Sequence, residues 1–176
     1  MGFILLLILV FAMRIFFIRC RMRNSLVELN CYIIVLFIFI GLRDPSVGND
    51  TGTYCRWYLD TLNYSFSALI EQKSNAMEVG YLVFSKTLAA LLPYKQTLLI
   101  VQGAVVVYAL KKFIWTFCRR DIFIPILIFM AFGLLFFHIT GIRQSFSMSF
   151  CLLAYVAIAL GKIKRSLIWY ALALSF

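Results

Sequence analysis

Apolar residues run almost unbroken along this chain, in stretches too long for strands and separated by short clusters of basic residues. A helix needs roughly 20 apolar residues to cross a bilayer core, and no run here alternates with the period of two expected of a β-barrel strand. The pattern predicts spans over Gly2 to Ile18, Val27 to Leu42, Gln96 to Leu110, Ile122 to Ile139 and Gln144 to Leu160. Val79 to Leu92 is apolar but short, carries Lys86 and stops at Pro93. Such a segment is expected to lie in, or dip into, the membrane interface. Leu167 to Phe176 begins a further span. Its roughly ten residues cover only about 15 Å of a core about 30 Å thick, so the chain is expected to be the N-terminal part of a longer protein or a truncated product.

The fold class that follows is all-α. It is a polytopic helical membrane protein of about five full spans, a truncated sixth and one interfacial or re-entrant helix. Residues 1–176 read as a single integral membrane domain, without an internal repeat or low-complexity linker. The start lacks the basic region of a cleaved signal peptide and is read as a retained span.

Charge orients these spans. Arg19, Arg21 and Arg23 follow the first, Lys111, Lys112, Arg119 and Arg120 the third, and Lys162, Lys164 and Arg165 the fifth. Cytoplasmic loops are enriched in Lys and Arg, so these clusters are expected inside and the N-terminus outside. If Val79 to Leu92 crossed as well, Lys111 to Arg120 would face outward, which is why it is read as non-crossing. Arg14, near the end of the first span, is expected to snorkel toward the headgroups.

Composition agrees with a membrane location. The chain is 64% hydrophobic and 14% charged, with a mean hydropathy of +0.96; a soluble domain is about 25% charged. The net charge of +10 is accounted for by the clusters beside apolar runs, so it signals topology and attraction to anionic lipid, not nucleic acid. The five cysteines are odd in number and hold no C-x-x-C pair, so neither a zinc site nor a disulfide framework is signalled.

The exception to the apolar pattern is the expected external polar loop over residues 43–78. From Gly41 to Glu78 it holds five of the seven acidic residues in the chain. On the predicted topology Arg43, Asp44, Asp50, Glu78, His138 and Arg143 reach one side of the membrane. Arg143 heads an apolar helix, where free backbone N–H groups and the helix dipole favour an anion. It reads either as a bidentate phosphate ligand or as an interfacial arginine meeting lipid phosphates. Glu78 reads as a general base for a sugar hydroxyl or as a helix-start acid. His138 reads as an acid–base group or as a satisfied interface residue.

Asp50-Thr51-Gly52-Thr53-Tyr54 reads as a turn followed by a short helix, on which Arg56 and Asp60 are spaced i,i+4 to pair. Tyr54, Trp57 and Tyr58 give it an aromatic face, suited to stacking on sugars or to the interfacial aromatic belt. Asn49-Asp50-Thr51 and Asn63-Tyr64-Ser65 match the N-glycosylation pattern, a weak signal. No P-loop, dinucleotide fingerprint or metalloprotease motif is present, so no cofactor and no metal site is expected.

Three of these elements together resemble the EpsG-like, Wzy-type family of bacterial polysaccharide polymerases. They are Gly41-Leu42-Arg43 with Val47-Gly48-Asn49-Asp50-Thr51 and Tyr54, then Glu78-Val79-Gly80-Tyr81, then Ile142-Arg143-Gln144 before an apolar helix. They stand in the family's order and spacing up to about residue 160. The chain departs from the family in having about half its usual length and in carrying Asn49 where Thr is common.

The resemblance implies a multi-pass glycosyltransferase of the bacterial inner membrane. It would polymerise undecaprenyl-diphosphate-linked repeat units on the outer face for O-antigen, capsule or exopolysaccharide. Glu78, Arg143 and Arg43 are then the expected catalytic residues, the arginines stabilising charge on the departing diphosphate. Asp50, Thr51, Tyr54, His138 and Gln144 are the expected substrate contacts. The implied partners are the lipid-linked glycans, the bilayer, and a chain-length regulator and flippase of the same pathway. A transporter or flippase of lipid-linked or anionic solutes, and an inactive truncated subunit, are the rival readings.

Overall fold

The computed structural model describes residues 2–20, 25–73 and 77–176; Met1, Arg21 and Arg23 lie outside the described residues. Among these, all regular structure is helical. Helix α1 spans Gly2–Arg19, α2 Ser25–Gly41, α6 Lys95–Phe117 and α9 Ile142–Ala159. Between α2 and α6 lie the short helices α3 (Thr51–Asp60), α4 (Phe66–Lys73) and α5 (Val79–Leu91). Helices α7 (Phe123–Ala131) and α8 (Leu134–Thr140) precede α9, and α10 (Ile163–Ser175) follows it.

Three helices, α1, α6 and α9, are long and apolar enough to cross a membrane, and the bent pair α7–α8 makes up to four. The chain is therefore an all-helical membrane protein. At 17 residues α2 is a shorter apolar helix, as is α5 at 13. At about 1.5 Å per residue α5 measures about 20 Å, short of a core about 30 Å thick.

The expected straight span from Ile122 to Ile139 is instead broken, with α7 and α8 bent by 56°. Gly133 sits between them at φ 73, a left-handed conformation that glycine alone adopts without cost. A single Gly in an apolar run was the only local sign of this break.

Buried positions recur every three or four residues along each long helix, as one packed face requires. In α2 they are Leu29, Tyr32, Ile33, Leu36 and Ile40. In α6 they are Leu98, Leu99, Gln102, Val106, Val107, Leu110 and Ile114. The C-terminal half of α6 joins α1, α2, α7 and α8 in one apolar cluster. Its N-terminal half joins α3, α4, α5 and the start of α9 in another. Helix α6 is thus the wall shared by both.

Helices α2 and α6 approach closely at two glycines: a Cβ on Gly103 would stand 2.8 Å from Gly41 Cα. Small residues at a crossing let backbones meet in this way. Only 17% of the apolar window of α1 is buried in the protein, which leaves most of that helix for lipid.

Polar groups gather at the two ends of the bundle. At one end Arg14 Nη1 meets Glu28 Oε1 at 2.9 Å, and Tyr32 OH donates to the same oxygen at 2.8 Å. Arg14 therefore pins α1 to α2 through a buried carboxylate, where snorkelling was expected. Gln96, at the start of α6, bonds Gly41 O at the end of α2, so α6 runs back toward the Arg14–Glu28 end, where its C-terminal turn meets that of α9 through Phe117 and Tyr155. The opposite end carries the C-terminus of α2 and the loop helices.

Candidate functional site

Arg43 is only 7% exposed. Its Nη1 donates to Ile40 O, and its Nη2 donates to Ile139 O and Gln102 Oε1, both at 3.0 Å. Ile40 and Ile139 lie at the last turns of α2 and α8, whose final carbonyls have no intrahelical donor. A cation at two helix C-termini also meets the negative end of two dipoles. Arg43 thus ties two helices together. Burial lowers its pKa to about 10, and it remains a cation at neutral pH. The expectation that Arg43 grips a substrate phosphate does not fit this enclosure: both terminal nitrogens are committed to protein oxygens, and Nε is buried.

Thr51, expected to touch substrate, is fully buried and donates from Oγ1 to Ile139 O at 3.1 Å. Gly48 makes that approach possible. It adopts φ 104, and a Cβ there would lie 2.5 Å from Thr51 Oγ1 and 2.8 Å from Ile139 O. His138 is 2% exposed, shares a hydrogen bond with Ser145 Oγ through Nδ1 and stacks on Phe129 at 5.5 Å. It belongs to the packed interior, with its hydrogen bond made inside the protein.

Gln102, Gln96 and Ser145 were not picked out from the sequence. Gln102 is fully buried and donates from Nε2 to His138 O at 2.6 Å while accepting from Arg43. Gln96 Nε2 donates to Gly41 O at 2.8 Å and to Arg43 O at 3.1 Å. A buried polar side chain on an apolar helix was the available signal for Gln102, because such residues are costly without a purpose.

Above this buried layer lies a second group. Arg143, in the first turn of α9, donates from Nε to Tyr54 OH at 3.0 Å and from Nη1 to Glu78 Oε2. The Arg143 side chain is 18% exposed and that of Glu78 is 46% exposed. Tyr54 is buried, with its ring 5.7 Å from the guanidinium carbon. Loop helix α3, the start of α5 and the start of α9 thus meet at one charged surface. Glu78 occupies the N-cap position of α5 but makes no side-chain capping bond; its carboxylate is turned to Arg143 instead. Asp50 and Gln144 are exposed at the same end. Asp50 precedes α3 without capping it.

Two local expectations are corrected here. Arg56 contacts Thr53 Oγ1 at 3.4 Å, and the ion pairs among the described residues are Arg14–Glu28 and Arg143–Glu78, so the Arg56–Asp60 pair does not form. Two of the three rings on the α3 face, Tyr54 and Tyr58, are buried. Tyr54 packs edge-on against Tyr81 at 6.0 Å, and only Trp57 is partly open. Lys86, the charge that interrupts α5, donates to Thr61 O at 3.0 Å and to Tyr64 O, which fastens α5 to the polar loop.

The family model of EpsG matches residues 26–176. The chain belongs to the EpsG family. Membership makes it a membrane protein of polysaccharide biosynthesis, and all three elements that carried the resemblance lie within the matched span. In this EpsG-family chain those elements meet: the Gly41-Leu42-Arg43 and Gly48 to Tyr54 segments form the layer on which Arg143 and Glu78 rest. No curated protein sequence and no solved structure matches the chain.

Proposed function

We propose that this EpsG-family chain takes part in polymerising oligosaccharide repeat units carried on undecaprenyl diphosphate, at the outer face of the bacterial inner membrane. The observation that carries this reading is the Arg143–Glu78 pair, half open to solvent and backed by Tyr54. In the resting state each charge satisfies the other. An arriving diphosphate offers the planar guanidinium of Arg143 two oxygens for a bidentate contact. Exchange of the carboxylate for phosphate oxygens frees Glu78 to take a proton from the acceptor hydroxyl. Arg143 then stabilises negative charge on the departing lipid diphosphate, the term expected to dominate. Arg43 acts one layer down, holding α2 and α8 so that Arg143 is aimed.

The sidedness belongs to the same reading. The basic clusters at Lys111 to Arg120 and Lys162 to Arg165 lie at the bundle end remote from Arg143, where the positive-inside rule would put the cytoplasm. The N-terminus then lies outside. Helix α2 joins α1, α6, the bent α7–α8 pair and α9 as about five crossings, while α5 lies at the outer interface and α10 starts back outward. The O-antigen, capsule or exopolysaccharide class, and the pathway's chain-length regulator and flippase as partners, belong to this proposal as well.

A transporter reading draws on the helix break at Gly133, since broken helices often hold solutes. That break presents Phe132, 77% exposed, and no charged group, so the polymerase reading is preferred. The test is polymerisation of lipid-diphosphate-linked repeats by the protein in vesicles. The wild type should give a ladder of lengths and Arg143→Ala only single repeats. Equal ladders from both would end the assignment.

A further inference from the structure

At the end of the bundle remote from Arg143, helices α6, α9 and α10 enclose an open groove of about 340 Å³. Lys112, Lys162 and Arg165 line it together with apolar walls that include Leu153, Val156 and Trp169. A second groove of about 450 Å³ shares Tyr108, Leu153 and Trp169 with the first and is otherwise lined by apolar residues of α6 and α9. The two grooves therefore lie side by side along α6 and α9. Phe150 and Trp169, both lining the second groove, stack at 5.9 Å and 16°, and Lys112 Nζ lies 5.5 Å from the centroid of the Tyr108 ring. Among the described residues, no acidic side chain lines either groove.

We propose that these adjoining grooves together bind one anionic phospholipid, its phosphate on Lys112, Lys162 and Arg165 and an acyl chain along the apolar one. The order of chemistry along the two grooves is that of a phospholipid: cations first, then hydrocarbon. Arg165 can hold a phosphate through two parallel bonds and the lysines act as point charges. Basic pockets between transmembrane helices recognise anionic headgroups in this manner. An apolar protein helix seated here would desolvate three cations without supplying a counter-charge, which is unfavourable. The polyprenyl diphosphate substrate is assigned to the other end of the bundle, so the two lipid sites are separate.

Trp169 lines both grooves and reports on them directly. With Trp57→Phe and Trp115→Phe it is the sole tryptophan of the three in the chain. The protein is placed in vesicles mixing phosphatidylcholine and phosphatidylglycerol, with one lipid brominated at a time. Brominated phosphatidylglycerol should quench Trp169 with about tenfold higher apparent affinity than brominated phosphatidylcholine, falling with salt as charge attraction does. The combined Lys112→Gln, Lys162→Gln and Arg165→Gln variant should remove that preference, while Arg119→Gln with Arg120→Gln should retain it. Native mass spectrometry of the protein with all its tryptophans, counting retained phosphatidylglycerol with and without the triple substitution, gives a second readout. Equal quenching by both lipids, a preference that survives the triple substitution, or shielding of Trp169 from both lipids would each overturn the proposal.

Discussion

Arg143 and Glu78 lie 65 residues apart in the chain, and their side chains form an ion pair at the mouth of the bundle. With its carboxylate 46% exposed, the pair contributes little to folding, about 0–1 kcal/mol. Its removal should therefore leave protein level and thermal stability nearly unchanged while polymer formation falls by about 10²- to 10³-fold. Exchanging the charges, as Arg143→Glu with Glu78→Arg, separates this role from a structural one. A structural pair would be rescued by the exchange, whereas polysaccharide gels should still show no long chains.

Arg43 is predicted to behave differently. Replacement by Ala leaves Ile40 O and Gln102 Oε1 without their buried donor and Ile139 O with Thr51 alone. Each buried acceptor left unsatisfied costs about 1–3 kcal/mol. Arg43→Ala should lower the amount of folded protein, read as early melting or loss from the membrane fraction. Arg43→Lys should recover only part of it, since one ammonium cannot reproduce the forked geometry.

Gln102 offers a milder perturbation of the same layer. Gln102→Leu removes the donor to His138 O and the acceptor for Arg43, with an expected loss of about 1–3 kcal/mol. Polymer yield per folded molecule should also drop, because the turn leading to Arg143 loses its anchor. Quantifying product against folded protein separates the two effects.

The loop carries its own steric test. Gly48→Ala places a Cβ against Thr51 and Ile139 at φ 104, a conformation costing a non-glycine residue about 1–3 kcal/mol. Gly52→Ala, whose nearest neighbour would be Pro45 O at 3.7 Å, is the control. Thermal melts should show a clear loss for the first and little change for the second.

Cys55 gives a pH-dependent prediction. Its thiol is 1% exposed, and burial pushes its pKa up against the opposing influence of Arg43 and Lys95. The thiolate is the reactive form, so raising the pKa leaves less of it at any given pH. Maleimide labelling of Cys55 in the folded protein should be slow near neutrality and should accelerate with pH over a higher range than for an unperturbed thiol. Unfolding in detergent should abolish the difference.

The helical class was legible because apolar runs of bilayer length leave little choice of structure. The meeting of Glu78 with Arg143 was legible as a shared side of the membrane, since each charge sits at a helix start beside a polar turn. The fate of Arg43 was not. A sequence records its charge, but its partners are backbone carbonyls of Ile40 and Ile139, and every residue has a carbonyl. The same reason hid Thr51 as a support for α8. Gln102 was in view as a polar residue inside an apolar helix, yet its importance depends on the α2–α6 crossing at Gly41 and Gly103, which spacing alone does not reveal. The burial of His138 was not legible either, because it depends on Phe129 and Ser145, which meet it from other helices.

The side of the membrane to which the Arg143–Glu78 surface opens can be read from labelling of single cysteines in intact cells, and the outer side is expected. Val47→Cys marks the exposed loop beside that surface, and Arg120→Cys marks the opposite end. With the native cysteines replaced, an impermeant maleimide should modify Val47→Cys in intact cells and Arg120→Cys only after permeabilisation. Labelling of Arg120→Cys from outside, with Val47→Cys reached only after permeabilisation, would contradict this expectation.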